Sequence, residues 1–244
     1  MAKKRIDLLL VERGFAESRA MAQALVMARH VKANGSIVGK SSSLVDDTVG
    51  ISLEGRSPYV SRGGIKLSHA LDHFKVQPSG QTCMDVGAST GGFTDCLLQR
   101  GASRVYAIDV GYGQLDYRLR KNTRVVIMDR VNAHFSFEMP ELADLCTIDV
   151  SFISLRLVVP NVVSHLKAGG FVVALVKPQF EAGRDKVGKG GVVRDPMVHG
   201  EVLADLVVWS VSQSFRVRGI TPSPIEGAEG NREFFILLQT SAKF

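Results

Sequence analysis

The feature that most constrains the fold of this chain is a glycine-rich turn that joins an apolar strand to a helix. Residues 81–86 are predicted as a buried strand. The sequence Asp85-Val-Gly-Ala-Ser-Thr-Gly-Gly-Phe-Thr94 is predicted to cover the end of this strand, the glycine-rich turn and the start of a helix. A second apolar run, Arg104 to Ile108, ends at Asp109, about 20 residues beyond the turn, where a ribose-binding carboxylate belongs. We therefore predict a Rossmann-like α/β sheet that binds a nucleoside. The alternative is a tight turn in an α/β protein without a ligand.

The spacing of the glycines indicates which nucleoside compound binds. It is not the G-x-G-x-x-G spacing that brings a pyrophosphate against the backbone, which disfavours a dinucleotide. S-adenosylmethionine has no phosphate and needs a close backbone approach and a carboxylate for its ribose. A third predicted strand, Val125 to Met128, ends where residues can flank its adenine. We therefore predict S-adenosylmethionine as the cofactor. The predicted cofactor-binding residues are Asp85, Gly87, Ser89, Thr90, Gly91, Gly92, Phe93, Thr94, Asp109, Val110, Asp129, Arg130, Asn132 and Asp149.

Four ionisable residues are predicted to meet beside this site. Two further strands are predicted to end at Asp149 and at Lys177, and Glu233 precedes the last predicted strand. Lys66 is placed in the first turn of a helix, where a cation interacts unfavourably with the helix dipole. A lysine at this position is therefore explained by a function and not by helix stability. Two lysines and two acids suit the deprotonation of a weakly acidic hydroxyl such as that of a ribose. We predict that Lys177 takes the proton while Asp149 and Glu233 orient it.

The first forty residues form a separate basic segment. Eight cations stand against three carboxylates there, so the segment carries +5 of the net charge of +6, which suits a polyanion. Apolar spacing predicts two short helices, the second capped by Ser18, and then a hairpin with Asn34-Gly35 at its turn. We predict a small α+β domain that contacts RNA phosphates. The predicted RNA-binding residues are Lys4, Arg5, Arg19, Arg29, Lys32 and Arg62.

Several functional classes find no support in the sequence. No export signal is visible, and the longest uncharged apolar stretch, residues 171–176, is far shorter than the roughly 20 residues of a membrane span. The three cysteines match neither a disulfide framework nor a zinc knuckle, and His69 and His73 have no evident third ligand. We therefore predict a cytoplasmic monomer with reduced thiols and with no metal or membrane partner.

Ordered motifs in both halves of the chain resemble known families. Residues 3–55 are similar to the S4-type RNA-binding domain through the motifs Arg5-Ile-Asp7, Glu17-Ser-Arg19 and Val31-Lys-Ala-Asn-Gly35. The FtsJ-like ribose 2′-O-methyltransferases have a Lys-Asp-Lys-Glu tetrad, which is matched by Lys66, Asp149, Lys177 and Glu233. Nearly the whole chain resembles the TlyA family, through the glycine turn and through residues 61–64, 109–115, 149–154, 176–181 and 190–193.

The resemblance implies a two-domain enzyme. Residues 1–58 are expected to form the S4-type domain, and residues 59–244 an FtsJ-like methyltransferase domain whose mostly parallel sheet has an antiparallel last strand. The expected reaction is 2′-O-methylation of a cytidine in ribosomal RNA of the large subunit, with or without the small one, on assembled ribosomal subunits. Family members usually have glycine where this chain has Arg29, at a left-handed helix end that costs another residue about 1 kcal/mol.

Other interpretations remain open. Family members have often been labelled haemolysins, although the sequence shows neither a spanning segment nor a long amphipathic helix with a basic face. A ribosome-binding protein without catalysis is a third possibility. Base methylation is disfavoured because Asp149-Val-Ser-Phe152 lacks the prolines of the turn that grips a flipped base. Residues 180–193, rich in glycine and lysine, are predicted to form a mobile lid or, alternatively, to be disordered.

Overall fold

The computed structural model describes residues 3–16, 18–27, 29–53 and 58–241. The chain forms two compact units, residues 1–57 and residues 58–244. The composition break that marks the predicted domain boundary includes residues 54–57, which lie outside the described part of the chain, as does Glu17 of the N-terminal motif.

The first unit is a small α+β domain whose elements follow the predicted order. The second helix begins next to Ser18, whose Oγ accepts from the Met21 N–H at 3.2 Å. Asn34 and Gly35 form the hairpin turn, and their φ angles of 46° and 81° are both positive, as a type I′ turn requires. The elements are β1 (Lys3–Arg5), α1 (Ile6–Glu12), α2 (Arg19–Met27), β2 (Val31–Ala33), β3 (Ser36–Ile37), β4 (Leu44–Asp46) and β5 (Ile51–Leu53).

Arg29 has the left-handed backbone that its position was expected to require, with a φ of 59°. Its N–H donates to the Val26 carbonyl at 3.0 Å, a bond that glycine keeps. We therefore expect Arg29→Gly to raise the free energy of unfolding by about 1 kcal/mol, measured by chemical denaturation. Lys32→Gly, in a strand without this strain, is the control and is expected to lower it. A similar loss at both positions would contradict the prediction.

The second unit is an α/β domain built on a seven-stranded sheet. Its strands are β6 (Thr82–Val86), β7 (Arg104–Asp109), β8 (Val125–Asp129), β9 (Ala143–Ile148), β10 (Leu166–Val176), β11 (Arg216–Pro222) and β12 (Phe234–Gln239). The strand order is β11-β12-β10-β9-β6-β7-β8. Strands β6 to β10 run parallel, and β12 is antiparallel to both of its neighbours. The predicted mostly parallel sheet with an antiparallel last strand is confirmed.

Helices cover both faces of this sheet. They are α3 (Arg62–Phe74), α4 (Gly92–Gln99), α5 (Tyr117–Arg120), α6 (Leu155–Val163), α7 (Pro178–Glu181) and α8 (Pro196–Ser212), with short 3₁₀ turns at residues 184–186 and 228–230. Successive strand residues alternate between two apolar cores: Cys83 and Val105 belong to one, and Met84 and Tyr106 to the other. The strand order reverses at β6, so the carboxyl ends of β6 and β9 frame a crevice suited to a ligand.

Helix α3 begins earlier than predicted. Lys66 was expected in its first turn. The helix instead begins at Arg62, which places Lys66 in the second turn. A Cβ on Gly64 would overlap the Tyr59 side chain, so glycine here allows close packing and does not break the helix.

Candidate active site

The glycine-rich turn connects β6 to α4 at the carboxyl edge of the sheet. Gly87 and Gly91 have φ angles of 82° and 94°, which favour glycine. A Cβ on Gly87 would overlap the backbone oxygen of Asp149, and one on Gly91 would overlap the Leu119 side chain. Both positions therefore need glycine for backbone conformation and for space, and the turn passes directly beside the end of β9.

A cavity of about 570 Å³ lies beside this turn, within the range of about 300–1,000 Å³ typical of small-molecule sites. Predicted cofactor residues that line it are Gly87, Ser89, Asp109, Val110, Asn132 and Asp149. The remaining lining residues were not predicted, and nearly all of them follow or precede a predicted residue closely in the chain: Val86, Ile108, Gln114, Val131, Ala133, His134, Val150, Ser151, Phe152, Ile153 and Val158. The sequence signal that could have identified these residues was their proximity to the predicted strand ends.

A second cavity of about 130 Å³ shares part of the same wall. Gly87, Ser89 and Asp149 line both cavities, so the two adjoin at the glycine turn. Thr90, Gly92 and Phe93, all predicted cofactor residues, line the smaller one together with Lys66. The predicted cofactor turn and one predicted catalytic lysine therefore meet at one place.

Asp109 ends β7 and presents its carboxylate to the larger cavity. Its Oδ2 accepts from the Ser89 N–H, and its Oδ1 accepts from the Gly111 N–H, both at 2.7 Å. Each carboxylate oxygen can accept more than one hydrogen bond, so both can still receive a hydroxyl. The two backbone donors thus fix the carboxylate at the wall of the larger cavity.

Asp85 and Thr94 lie beneath the turn and line neither described cavity. Both side chains are completely buried. Thr94 Oγ1 donates to Asp85 Oδ2 at 2.6 Å, and Thr147 Oγ1 donates to Asp85 Oδ1 at 3.2 Å. Burial raises the pKa of Asp85 to about 7, although the Thr94 hydrogen bond opposes the rise. These residues tie β6 to α4 and to β9, and so shape the turn from below.

Three further predicted cofactor residues lie outside the lining of both cavities: Gly91, Asp129 and Arg130. Asp129 Oδ2 accepts from the Gly113 N–H at 3.1 Å. Arg130 has a left-handed φ of 61°, and its guanidinium lies over the Tyr112 ring at 4.6 Å. The chain turns back at this point, so Val131 and Asn132 line the larger cavity instead.

Two ion pairs between lysine and carboxylate lie at this edge of the sheet. Lys177 Nζ is 2.6 Å from Asp149 Oδ1 and donates to Ser151 Oγ at 2.9 Å. Lys66 Nζ donates to Glu233 Oε2 at 2.5 Å, and both of those side chains are buried. Asp149 and Glu233 were both predicted to orient Lys177. The structure instead gives each lysine its own carboxylate, with Glu233 on Lys66.

Comparison with known proteins identifies the family to which the chain belongs. The FtsJ-like methyltransferase family model matches residues 59–240, and the S4 domain model matches residues 4–49. The chain is 41% identical over 247 residues to the 16S/23S rRNA (cytidine-2′-O)-methyltransferase TlyA of Mycobacterium tuberculosis, with 98% of this chain and 91% of that protein covered. The chain belongs to the TlyA family of FtsJ-like methyltransferases.

Other proteins similar to this TlyA-family chain carry two kinds of name. YqxC of Bacillus subtilis, provisionally named an rRNA methyltransferase, is 48% identical over 243 residues, which cover 97% of this chain and 85% of YqxC. A solved structure from Streptococcus thermophilus, provisionally named a hemolysin, shares 43% identity at a TM-score of 0.75 and covers 99% of this chain and 90% of that one. Similar chains therefore bear both names.

In the S4 domain of this TlyA-family chain, carboxylates hold three of the predicted RNA-binding side chains. The buried Asp7 accepts from Arg5 Nε at 3.0 Å, from Arg5 Nη2 at 2.9 Å and from Arg19 Nε at 3.1 Å. The Arg5 hydrogen bonds hold the pKa of Asp7 well below its usual range. Lys4 Nζ donates to both carboxylate oxygens of Glu12, at 2.8 and 2.9 Å. The arginines are thereby oriented while 37% and 54% of their side chains stay exposed.

The other predicted RNA-binding residues are placed differently. Arg29 is exposed just beyond α2, and Lys32 is partly buried in β2. Arg62 belongs to the second unit as the first residue of α3, where its Nη2 donates to the Glu226 carbonyl at 2.6 Å.

Residues 180–193 are folded onto the second unit. Lys186 pairs with Glu201 of α8, and His199 Nε2 lies 2.9 Å from the Val193 carbonyl. The Val193 N–H donates to Asn231 Oδ1 at 3.1 Å. These contacts hold the segment in place, contrary to the alternative of a disordered segment. Movement of the segment as a lid stays a prediction.

Two negative findings apply to the residues that the structure describes. Among them, no group of three or more histidine, cysteine, aspartate or glutamate side chains could hold a metal ion. No helix formed by these residues is long and apolar enough to cross a membrane. His69 and His73 stack on each other at 6.3 Å, and the three cysteines are buried free thiols.

Proposed function

We propose that this chain transfers a methyl group from S-adenosylmethionine to the ribose 2′-hydroxyl of a cytidine in ribosomal RNA. The observation that carries the proposal is the Lys177–Asp149 ion pair at 2.6 Å, since Asp149 also lines the cavity that fits a nucleoside. The target is the large-subunit RNA, with or without that of the small subunit, on assembled ribosomal subunits. The S4 domain, residues 1–58, would hold the RNA, and the enzyme would act as a cytoplasmic monomer.

Three features of the larger cavity support S-adenosylmethionine as the ligand. Asp109 offers a fixed carboxylate to the ribose hydroxyls. Gly87 lets the backbone come close, because a side chain there has no room. Val131 and Ala133 add apolar surface beside Asn132, which suits an adenine. When bound, the cofactor supplies a methyl group already activated on a sulfonium.

The ion pairs support a hydroxyl as the methyl acceptor. Lys177 would act as the neutral amine, after its own proton has passed to solvent, and would take the hydroxyl proton. The ammonium that results is compensated by Asp149 and donates a hydrogen bond to Ser151 Oγ. Lys66 and Glu233 form a buried pair that fixes a second cation beside the glycine turn. Because the methyl group needs no further activation, the residues serve mainly to align the acceptor oxygen and remove its proton.

An exposed aromatic residue supports a nucleotide as the substrate. Phe152 has 90% of its surface exposed and a left-handed φ of 64°, and it lines the larger cavity next to Ser151. Such a ring offers a stacking surface to a base, and base stacking on an aromatic side chain contributes about 1–3 kcal/mol.

The proposal is tested on ribosomal subunits from cells that lack the gene. After incubation with the protein and S-adenosylmethionine, the RNA is digested to nucleosides and analysed by mass spectrometry. We expect 2′-O-methylcytidine, and none without S-adenosylmethionine. Cytidine methylated on its base, or no methylated product, would contradict the proposal. Dye release from liposomes at low protein concentration would favour the haemolysin interpretation that the Streptococcus name suggests.

Asp109→Asn is expected to weaken cofactor binding about 30-fold, because a charge-assisted hydrogen bond is worth about 2 kcal/mol. Isothermal titration with S-adenosylhomocysteine in the presence of ribosomal RNA measures it. Asp129→Asn is the matched control, since that carboxylate ends the next strand but lines neither described cavity. Equal affinities for Asp109→Asn and the wild-type protein would count against the assigned ribose contact.

A further inference from the structure

The loop that follows β9 is tied to the segment that follows β10. The loop comprises residues 149–154, and the segment comprises residues 177–181. At the first end of the loop, Lys177 contacts Asp149 at 2.6 Å and Ser151 at 2.9 Å. The reacting end of the loop is therefore held by the first residue of the segment.

The last residue of the same segment holds the far end of the loop. Glu181 Oε2 accepts from Ser154 Oγ, and Glu181 Oε1 accepts from the Leu155 N–H, both at 2.7 Å. Leu155 begins α6, so this carboxylate satisfies one of the free N–H groups at the start of that helix. Burial raises the pKa of Glu181, and the hydrogen bonds from Leu155 and Ser154 oppose the rise. Both carboxylate oxygens thus serve the loop.

The backbone of the loop needs such support. Phe152 has a left-handed φ of 64°, a backbone conformation that is unfavourable for a residue other than glycine. Its ring is almost fully exposed and contacts the Phe180 ring of the same segment, with centroids 5.0 Å apart. A strained conformation persists where its surroundings fix it. Residues 177–181 supply side-chain contacts at both ends of the loop and the Phe180 ring contact.

We infer that Glu181 is a positioning residue for methyl transfer: by fixing the far end of the loop, it keeps Asp149 and Ser151 in contact with Lys177. The inference rests on the proposed function, in which Lys177 takes the hydroxyl proton. Without the Glu181 carboxylate, the Leu155 N–H and the Ser154 hydroxyl lose their partner, and the loop is free to relax. Small displacements of this kind reduce the rate of an aligned reaction strongly.

Steady-state methyl transfer to ribosomal subunits tests the inference. Glu181→Ala is expected to lower kcat about tenfold, while KM for the subunits and Kd for S-adenosylhomocysteine change less than about threefold. Glu181→Gln keeps an acceptor for the Leu155 N–H and a donor for Ser154 Oγ, and is expected to retain at least about half of kcat. Glu201→Ala, which breaks the nearby surface pair with Lys186, is the control and is expected to match the wild-type protein.

If Glu181→Ala does not fold, Ser154→Ala removes one of the two contacts and is expected to lower kcat about threefold with the same pattern. Wild-type kcat in the variant that folds overturns the inference. So does an equal fall in Glu181→Gln, or a loss of S-adenosylhomocysteine affinity as large as the loss of kcat. Absence of methyl transfer by the wild-type protein instead overturns the proposed function, and the inference with it.

Discussion

Lys177→Ala is expected to lower kcat for methyl transfer by a factor of about 10²–10⁴, the usual contribution of a general base. Lys177 Nζ lies between Asp149 and Ser151. Alanine leaves no amine there to take the hydroxyl proton. The linings of the two cavities described above do not include Lys177, so Kd for S-adenosylhomocysteine is expected to change less than about threefold. Single-turnover transfer of a labelled methyl group measures the rate without product release.

Lys186→Ala is the matched control for this experiment. Lys186 follows Lys177 closely in the chain, but it pairs with Glu201 on the surface. Its removal changes the net charge by the same amount and is expected to leave kcat near the wild-type value. Equal rates for the two variants would show that charge alone accounts for any loss, and would contradict the role assigned to Lys177.

Gly87→Ala is expected to cause the largest loss of stability among these variants. Gly87 has a φ of 82°, and a Cβ there would overlap the Asp149 backbone oxygen, which belongs to the neighbouring strand end and has little freedom to move. Backbone strain and overpacking together should lower the free energy of unfolding by about 3 kcal/mol. Chemical denaturation of the full chain measures this, and binding of S-adenosylhomocysteine is expected to be lost as well.

Gly80→Ala separates the two causes. Gly80 has a similar φ of 73°, but a Cβ there meets nothing within 4 Å. This variant is expected to lose only about 1 kcal/mol, the cost of a left-handed alanine. If both variants lose the same stability, the close approach of the glycine turn to β9 contributes nothing, contrary to the structure described above.

The strand ends could be predicted from the sequence because each follows directly from local patterning. Asp109, Asp149 and Lys177 each follow a run of apolar residues that fill the cores on the two faces of the sheet. In parallel strands such residues must emerge at one edge, so their convergence followed from the strand assignments. The hairpin turn at Asn34-Gly35 was predictable for the same reason, since its residues alone specify its conformation.

The partners within the site could not be predicted in this way. Glu233 pairs with Lys66 across 167 residues of sequence, and the choice between the two lysines depends on how α3 and the start of β12 meet. The contact of Glu181, at the end of α7, with the start of α6 likewise joins residues that are 26 positions apart in the chain. Arg130 directly follows a strand end but its side chain lies over Tyr112, because a backbone turn that the sequence pattern does not show redirects it.

The most direct test of the account is nucleotide-resolved mapping of 2′-O-methylation on ribosomal subunits from cells that lack the gene. The subunits are incubated with S-adenosylmethionine and with the wild-type protein, Lys186→Ala or Lys177→Ala. We expect a new ribose methyl group on a cytidine after treatment with the first two proteins and its loss with Lys177→Ala. Ribose methylation that persists unchanged with Lys177→Ala would contradict the assigned base, and wild-type protein that methylates no ribose would contradict the account as a whole.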